Sequence, residues 1–303
     1  MIQRRAFIAG LSGAVAWPVL ARAQQGDRAR RIGVLMAGDE NDPMVKTDVS
    51  AFTQALADLG WTDGRNVRID LRWGGGDINR IRALAQELVG LQPDVIQAGA
   101  TPATVALQRE TRTILIVFAN VGDPVASGLV AVLNQPGGNI TGFSYFEATL
   151  GGKWLELLSE IAPGLKRAAI MFNPDTAPAS AYMPSFETAA QSLKIEPITA
   201  LVHGDAEIET AIIALGREPG GGIVVMPGVF MVAHRAPIIF AAARNNVPAV
   251  YFNHDFARDG GLLSYGPDPI DIFRSAASYV DRILRGAKPG DLPVQFRQNL
   301  RWQ

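Results

Sequence analysis

Between residues 31 and 284 the chain alternates short runs of β-branched and aliphatic residues with longer stretches whose apolar positions recur at helical spacing, and it does so in two series. This rhythm is the strongest constraint in the sequence. Strands that run parallel need a long crossover between them, and a helix is the usual one. The first series predicts strands over 32–36, 67–73, 94–98, 114–118 and 140–143, with helices over 48–59, 78–89, 101–109 and 125–133. The turn sequence Gln135-Pro136-Gly137-Gly138-Asn139 introduces the last of these strands. After a helix over 153–161 the second series predicts strands over 168–172, 196–200, 223–226 and 249–251, with helices over 184–192, 206–215 and 234–245. An apolar segment near 262–265, a helix over 270–284 and a Pro-rich tail follow. The expected fold class is α/β: two Rossmann-like lobes with parallel sheets, joined by a hinge, with a ligand cleft between them, because open parallel sheets bind ligands outside the carboxyl ends of their strands. The expected division is 24–143 plus 265–290 for lobe 1 and 144–264 plus 291–303 for lobe 2.

Composition narrows the function. A net charge of −1, from 28 Lys+Arg against 29 Asp+Glu, provides no basic field for a polyanion, so no nucleic acid partner is expected. The chain has no cysteine and only three histidines, none in HxxxH or HxH spacing, so neither a metal nor a cofactor is expected. Gly74-Gly75-Gly76 lies between a strand and a helix but completes neither GxGxxG nor GxxxxGK[ST], and no GxSxG elbow occurs. An enzyme is therefore the weakest reading.

Arg4 and Arg5 precede an uncharged run over 6–20, too short to span a bilayer comfortably, and Ala21-Arg22-Ala23 offers small residues where a signal peptidase reads. Residues 1–23 are expected to be a twin-arginine-like signal peptide cleaved near Ala23, or a Sec signal carrying paired arginines, which places the mature chain in the periplasm.

Several stretches, in order, carry a resemblance: Leu56-Ala57-Asp58-Leu59-Gly60-Trp61, Gly122-Asp123-Pro124-Val125, Pro136-Gly137-Gly138-Asn139-Ile140-Thr141-Gly142, Lys153-Trp154-Leu155-Glu156-Leu157-Leu158, Gly260-Gly261-Leu262-Leu263-Ser264-Tyr265-Gly266 and Tyr279-Val280-Asp281-Arg282-Ile283-Leu284. Over nearly all of its mature length the chain resembles the ABC-transporter substrate-binding protein family related to tryptophan/tyrosine-type binding proteins, built on the type I periplasmic-binding-protein fold. The resemblance implies a monomeric receptor that closes two lobes around a small solute and presents it to an ABC permease in the inner membrane, without chemistry. An exported ligand sensor of the same fold is the alternative. Similar proteins often carry an acid near Gly228 that would suit a ligand amine, and here that position has no side chain.

A solute-binding cleft needs polar groups at strand ends and helix N-termini. Gly38 and Asp39, after the first strand, can line its mouth, and Thr101 and Pro102 open a helix after the third, Thr101 either meeting a carboxylate or capping its own helix. Asp123 either accepts from a ligand ammonium or caps the next helix, and Asn173 either bonds the solute or braces its own turn. Phe230 offers an apolar face to a ring or packs in the core, Asp255 closes the second lobe's set, and Tyr265, in the expected hinge segment, can also reach the cleft. Gly142, Ser144 and Ser264 are the hinge candidates, small residues at the expected crossings.

Overall fold

The computed structural model describes residues 29–145, 147–176, 182–296 and 300–302. The expected signal peptide lies outside the described residues. The first series forms β1 (Arg30–Met36), α1 (Pro43–Asp58), β2 (Val67–Trp73), α2 (Ile78–Gly90), β3 (Val95–Gly99), α3 (Thr101–Glu110), β4 (Leu115–Val121) and β5 (Ile140–Ser144). The second forms α4 (Leu150–Ile161), β6 (Arg167–Phe172), α5 (Met183–Leu193), β7 (Glu196–Leu201), α6 (Asp205–Gly216), β8 (Gly221–Val225), α7 (Val229–Ala233), α8 (Arg235–Arg244), β9 (Ala249–Tyr251), α9 (His254–Arg258) and β10 (Leu263–Pro267). The chain then returns through α10 (Pro269–Leu284) to β11 (Gln295–Phe296) and β12 (Leu300–Trp302). Two six-stranded sheets result, ordered β11-β5-β4-β3-β1-β2 and β12-β10-β9-β8-β6-β7, parallel throughout except for β12 against β10. These are the two α/β lobes that the alternation predicts, each sheet with apolar clusters on both faces.

Aspartate caps set three helix starts. Asp42, Asp77 and Asp268 accept from amides of their own first turns, Met44 at 2.9 Å, Asn79 at 2.7 Å and Ile270 at 2.9 Å. Pro43, tolerated in the first turn, lets α1 begin five residues before the expected 48. The expected helix over 125–133 is absent. Asp123 caps a single turn there, and Gly128, at φ +67°, turns the chain out of it.

The lobe boundaries also differ from expectation. Ser144 pairs with Val121 inside the first sheet, and its hydroxyl lies 2.8 and 2.7 Å from the Val121 and Gly122 carbonyl oxygens. Tyr265 belongs to the second sheet. The tail reaches the first sheet before the second, because Thr141 Oγ1 donates to Leu292 O at 2.6 Å and the Tyr279 hydroxyl to Pro293 O at 2.7 Å. Lobe 1 therefore comprises 30–144 with 269–296, and lobe 2 comprises 150–267 with 300–302. Gly142, Ser144 and Ser264 are all strand residues held in ladders, so the crossings lie downstream of them, after Ser144, between Pro267 and Pro269, and after Phe296. Gly142 serves packing: a Cβ there would sit 2.2 Å from the Phe118 carbonyl oxygen.

At the amino-terminal ends of the first sheet, Arg31 Nε donates to Asp70 Oδ2 at 2.6 Å. That hydrogen bond outweighs burial and holds the Asp70 carboxyl below its ordinary range. A depressed carboxylate stabilises the fold above its unfolded value, about pH 4, and the contribution is lost as pH falls through the lower folded value. Asp70→Asn should therefore lower the melting temperature at neutral pH, with the gap to wild type closing in strong acid. A gap that persists unchanged in acid would remove the ion pair as its cause.

Candidate functional site: the cleft between the lobes

In each sheet the strand order reverses beside the first strand, between β1 and β3 in lobe 1 and between β6 and β8 in lobe 2. Loops leaving such adjacent strands diverge to opposite faces and open a crevice at the carboxyl ends. The two crevices face each other across a cavity of about 370 Å³ lined from both lobes. Four sequence-predicted residues line it: Gly38 and Asp39 after β1, Thr101 and Pro102 at the start of α3. Thr101 is not a cap, since Ala100 holds that position without a side-chain hydrogen bond, and the Thr101 hydroxyl oxygen accepts from the Gly122 amide at 3.4 Å.

The other five are not brought to the cavity wall. Asp123 Oδ1 is used by the Val125 and Ala126 amides at 3.0 and 2.9 Å. Asn173 Oδ1 closes its own turn on Asp175 and Thr176, leaving Thr176 as the lining residue. Phe230 stacks on His234 at 4.0 Å between centroids against the lobe 2 core, and its neighbours Val229 and Val232 face the cavity instead. Asp255 is buried behind the wall, in an ion pair with Arg258 and 3.7 Å from His254 Nε2. Tyr265 is buried in lobe 2, its side chain bordering an outer groove beside Glu147 and Lys153.

Other residues complete the wall. Trp154, fully buried in lobe 2, presents its ring to the cavity and donates through Nε1 to the Tyr265 carbonyl at 2.7 Å. Ala100 and Asn120 line it with φ of +74° and +60°, a conformation that costs a non-glycine residue roughly 1–3 kcal/mol and tends to collect at ligand sites. Asp48 of α1 also lines it, with its Oδ1 buried and without a hydrogen-bond partner. One sequence signal was available for it: α1 buries Met44, Val45, Val49, Phe52 and Leu56 along one face, and Asp48 interrupts that apolar stripe.

The lobes are latched across the mouth. Arg235 of α8 donates through a terminal nitrogen to Asp42 Oδ2 at 2.5 Å and through Nε to Asp259 Oδ2 at 2.8 Å. Burial opposes the charge on Arg235, and these hydrogen bonds more than offset that cost, holding its pKa above the ordinary value. Asn253 Nδ2 meets Met44 Sδ at 3.7 Å beside the same seam. Among the described residues no group of three or more His, Asp or Glu is placed to hold a metal ion, and no helix is long and apolar enough to cross a membrane.

Residues 34–302 of the chain match a family model described as ABC transporter substrate binding protein. The chain belongs to that family. The family consists of solute-binding proteins, not enzymes. Among the substrate-binding relatives, a tyrosine-binding protein of Clostridioides difficile (strain R20291) is 27% identical over 253 residues, covering 83% of this chain and 72% of that one. The crystal structure of a conserved domain protein from Vibrio cholerae superposes with a TM-score of 0.84 at 28% identity, covering 91% of each chain. A domain from Streptococcus pneumonia solved in complex with L-Trp superposes with a TM-score of 0.82 at 23% identity, covering 89% of this chain and 90% of that one. As a substrate-binding protein, this chain has its cavity where the two sheets' strand ends converge, walled by aromatic rings and closed by an interlobe ion pair.

Proposed function

We propose that this protein is the periplasmic, monomeric receptor of an ABC importer, enclosing one small organic solute, an amino acid or an aromatic or other carboxylate, between its lobes and handing it unchanged to the inner-membrane permease. The observation that carries the proposal is the cavity itself. At about 370 Å³ it falls near the lower end of the usual range of small-molecule sites, roughly 300–1,000 Å³, which suits a single amino-acid-sized guest. Its rings, Tyr145, Trp154, Phe252 and Phe273, favour an apolar or aromatic side chain. The start of α3, with no side-chain cap and Thr101 and Pro102 at the wall, offers amides and a helix dipole to a carboxylate. A tyrosine-binding relative and a related fold with L-Trp bound support the same solute class.

The test is a thermal-shift screen of the chain from residue 24 onward against amino acids, aromatic acids and short carboxylates, beginning with L-tryptophan and L-tyrosine, followed by calorimetry and mass analysis of the recovered solute. One-to-one binding with the solute returned intact is expected. A solute occupied at 100 times its Kd stabilises the fold by about 2.7 kcal/mol, a clear melting shift. Chemical conversion of the solute, or silence across every class, would overturn the proposal.

A further inference from the structure

We infer that Asp48 is the receptor for a cationic nitrogen on the bound solute, so that this cleft selects amine-bearing guests from the broader class proposed above. The inference rests on the reading of the cavity as the solute site, and sharpens it.

Asp48 is 5% exposed, lies on the apolar face of α1 and borders the cavity. Its Oδ1 is buried with no hydrogen bond, and none of the protein's ion pairs among the described residues involves it. A carboxyl so placed loses its hydration without recompense, which folded proteins avoid unless a partner arrives from elsewhere. The neighbouring acids differ. Asp42 caps α1 and holds Arg235, Asp268 caps α10, and Asp255 is answered by Arg258 and His254. These three acids face Asp48 from α1, α10 and α9, each adding repulsion, and no residue on any of the three elements neutralises it. The wall at Asp48 is therefore acidic, desolvated and open to a cation. Calcium or magnesium would need several oxygen ligands converging, and no such group is present among the described residues. A substituted ammonium needs only one carboxylate and an apolar surround, both of which Asp48, Met44, Val45 and Phe273 supply.

Burial, reinforced by Asp255, Asp268 and Asp42, holds the Asp48 carboxyl well above its ordinary range in the empty cleft. A bound ammonium favours the carboxylate, so the Asp48 proton leaves for solvent as the N–H···O bond forms. Affinity for amines then rises with pH until the empty site is itself ionised.

The experiment compares three pairs differing only in the amine: L-tryptophan with indolepropionate, L-phenylalanine with hydrocinnamate, and L-leucine with isocaproate. Calorimetry is run in phosphate and in Tris to count protons, on wild type and Asp48→Asn. For whichever pair binds, the amine form should bind about 100-fold more tightly, as expected when one partner of a buried charge pair is removed. Its binding should release more protons in mildly acidic than in alkaline buffer, and Asp48→Asn should abolish both effects. Without solute, a carboxyl raised above its unfolded value costs stability as pH climbs past that value, so Asp48→Asn should melt higher than wild type at about pH 8, the gap closing towards about pH 4. The amine-free partners binding equally well, or Asp48→Asn keeping the amine preference, would overturn the inference while leaving the solute-binding reading intact. A melting temperature for Asp48→Asn at or below that of wild type at alkaline pH would overturn it without any ligand. Silence of all six compounds, with a solute found elsewhere in the thermal-shift screen that carries no amine, would overturn the inference alone; silence across the whole screen would overturn both readings.

Discussion

Replacing Arg235 by methionine should weaken solute binding about tenfold, mostly through faster release, while leaving the isolated lobes folded. The Asp42–Arg235 pair joins lobe 1 to lobe 2 and exists only when they are closed, with side chains 11% and 17% exposed. Opening returns both charges to water, so the pair contributes to closure only the surplus over hydration. For a well-aligned, partly desolvated pair that surplus is on the order of 1–2 kcal/mol, and 1.4 kcal/mol is a factor of ten. If solute binds only the closed form, apparent affinity falls in proportion to its population. Asp42→Asn should match the effect, because the amide oxygen still caps α1 at Met44, and the double variant should be no weaker than either single one. Stopped-flow release rates and small-angle scattering of the solute-free protein provide the measurements. Additive losses in the double variant, or an unchanged release rate, would sever the latch from closure.

Trp154→Ala should cost about 3–5 kcal/mol of stability, the usual penalty for truncating a fully buried large aromatic. Trp154 packs against Tyr182 at 5.1 Å between centroids, fills the lobe 2 core beside Leu158 and Phe186, and anchors the Tyr265 carbonyl just before the chain leaves lobe 2. Trp154→Phe keeps most of the packing but removes the indole hydrogen bond to that carbonyl, which costs about 0.5–1.5 kcal/mol. The same ring forms part of the cavity wall, so solute entry should change tryptophan emission in wild type, and the change should fade in Trp154→Phe. Chemical denaturation gives the stabilities. A loss below about 1 kcal/mol for Trp154→Ala would mean that the lobe repacks freely around the gap.

The strands were legible because β-branched runs of the right length punctuated by turns admit few other readings, and their order places the loops after β1 and β3 at a crevice. Thr101 and Gly38 follow from that logic alone. Asp123 and Asn173 defeat it, since the residue types that greet a ligand also close turns, and only the local amides decide which role is taken. The missing helix over 125–133 shows the same limit: Val125, Leu129 and Val130 have helical spacing, but Gly128 turns the chain away after one turn. Arg235 lay beyond reach for another reason, and Asp48 showed only as a break in an apolar stripe. The meaning of each depends on a surface contributed from some two hundred residues away, Arg235 through Asp42 and Asp48 through Asp255.

The return of α10 to the first sheet also dictates an order of assembly. Lobe 2 is almost continuous in sequence, whereas the face of α1 carrying Phe52 and Leu56 is covered by Phe273, Ala276, Val280 and Ile283, which a ribosome delivers only after residues 150–267. A nascent chain halted after β5 would expose that greasy surface with nothing to set against it. The half of the protein synthesised first thus stays open until the body of lobe 2 has followed it, and whatever escorts the chain before then must shield α1.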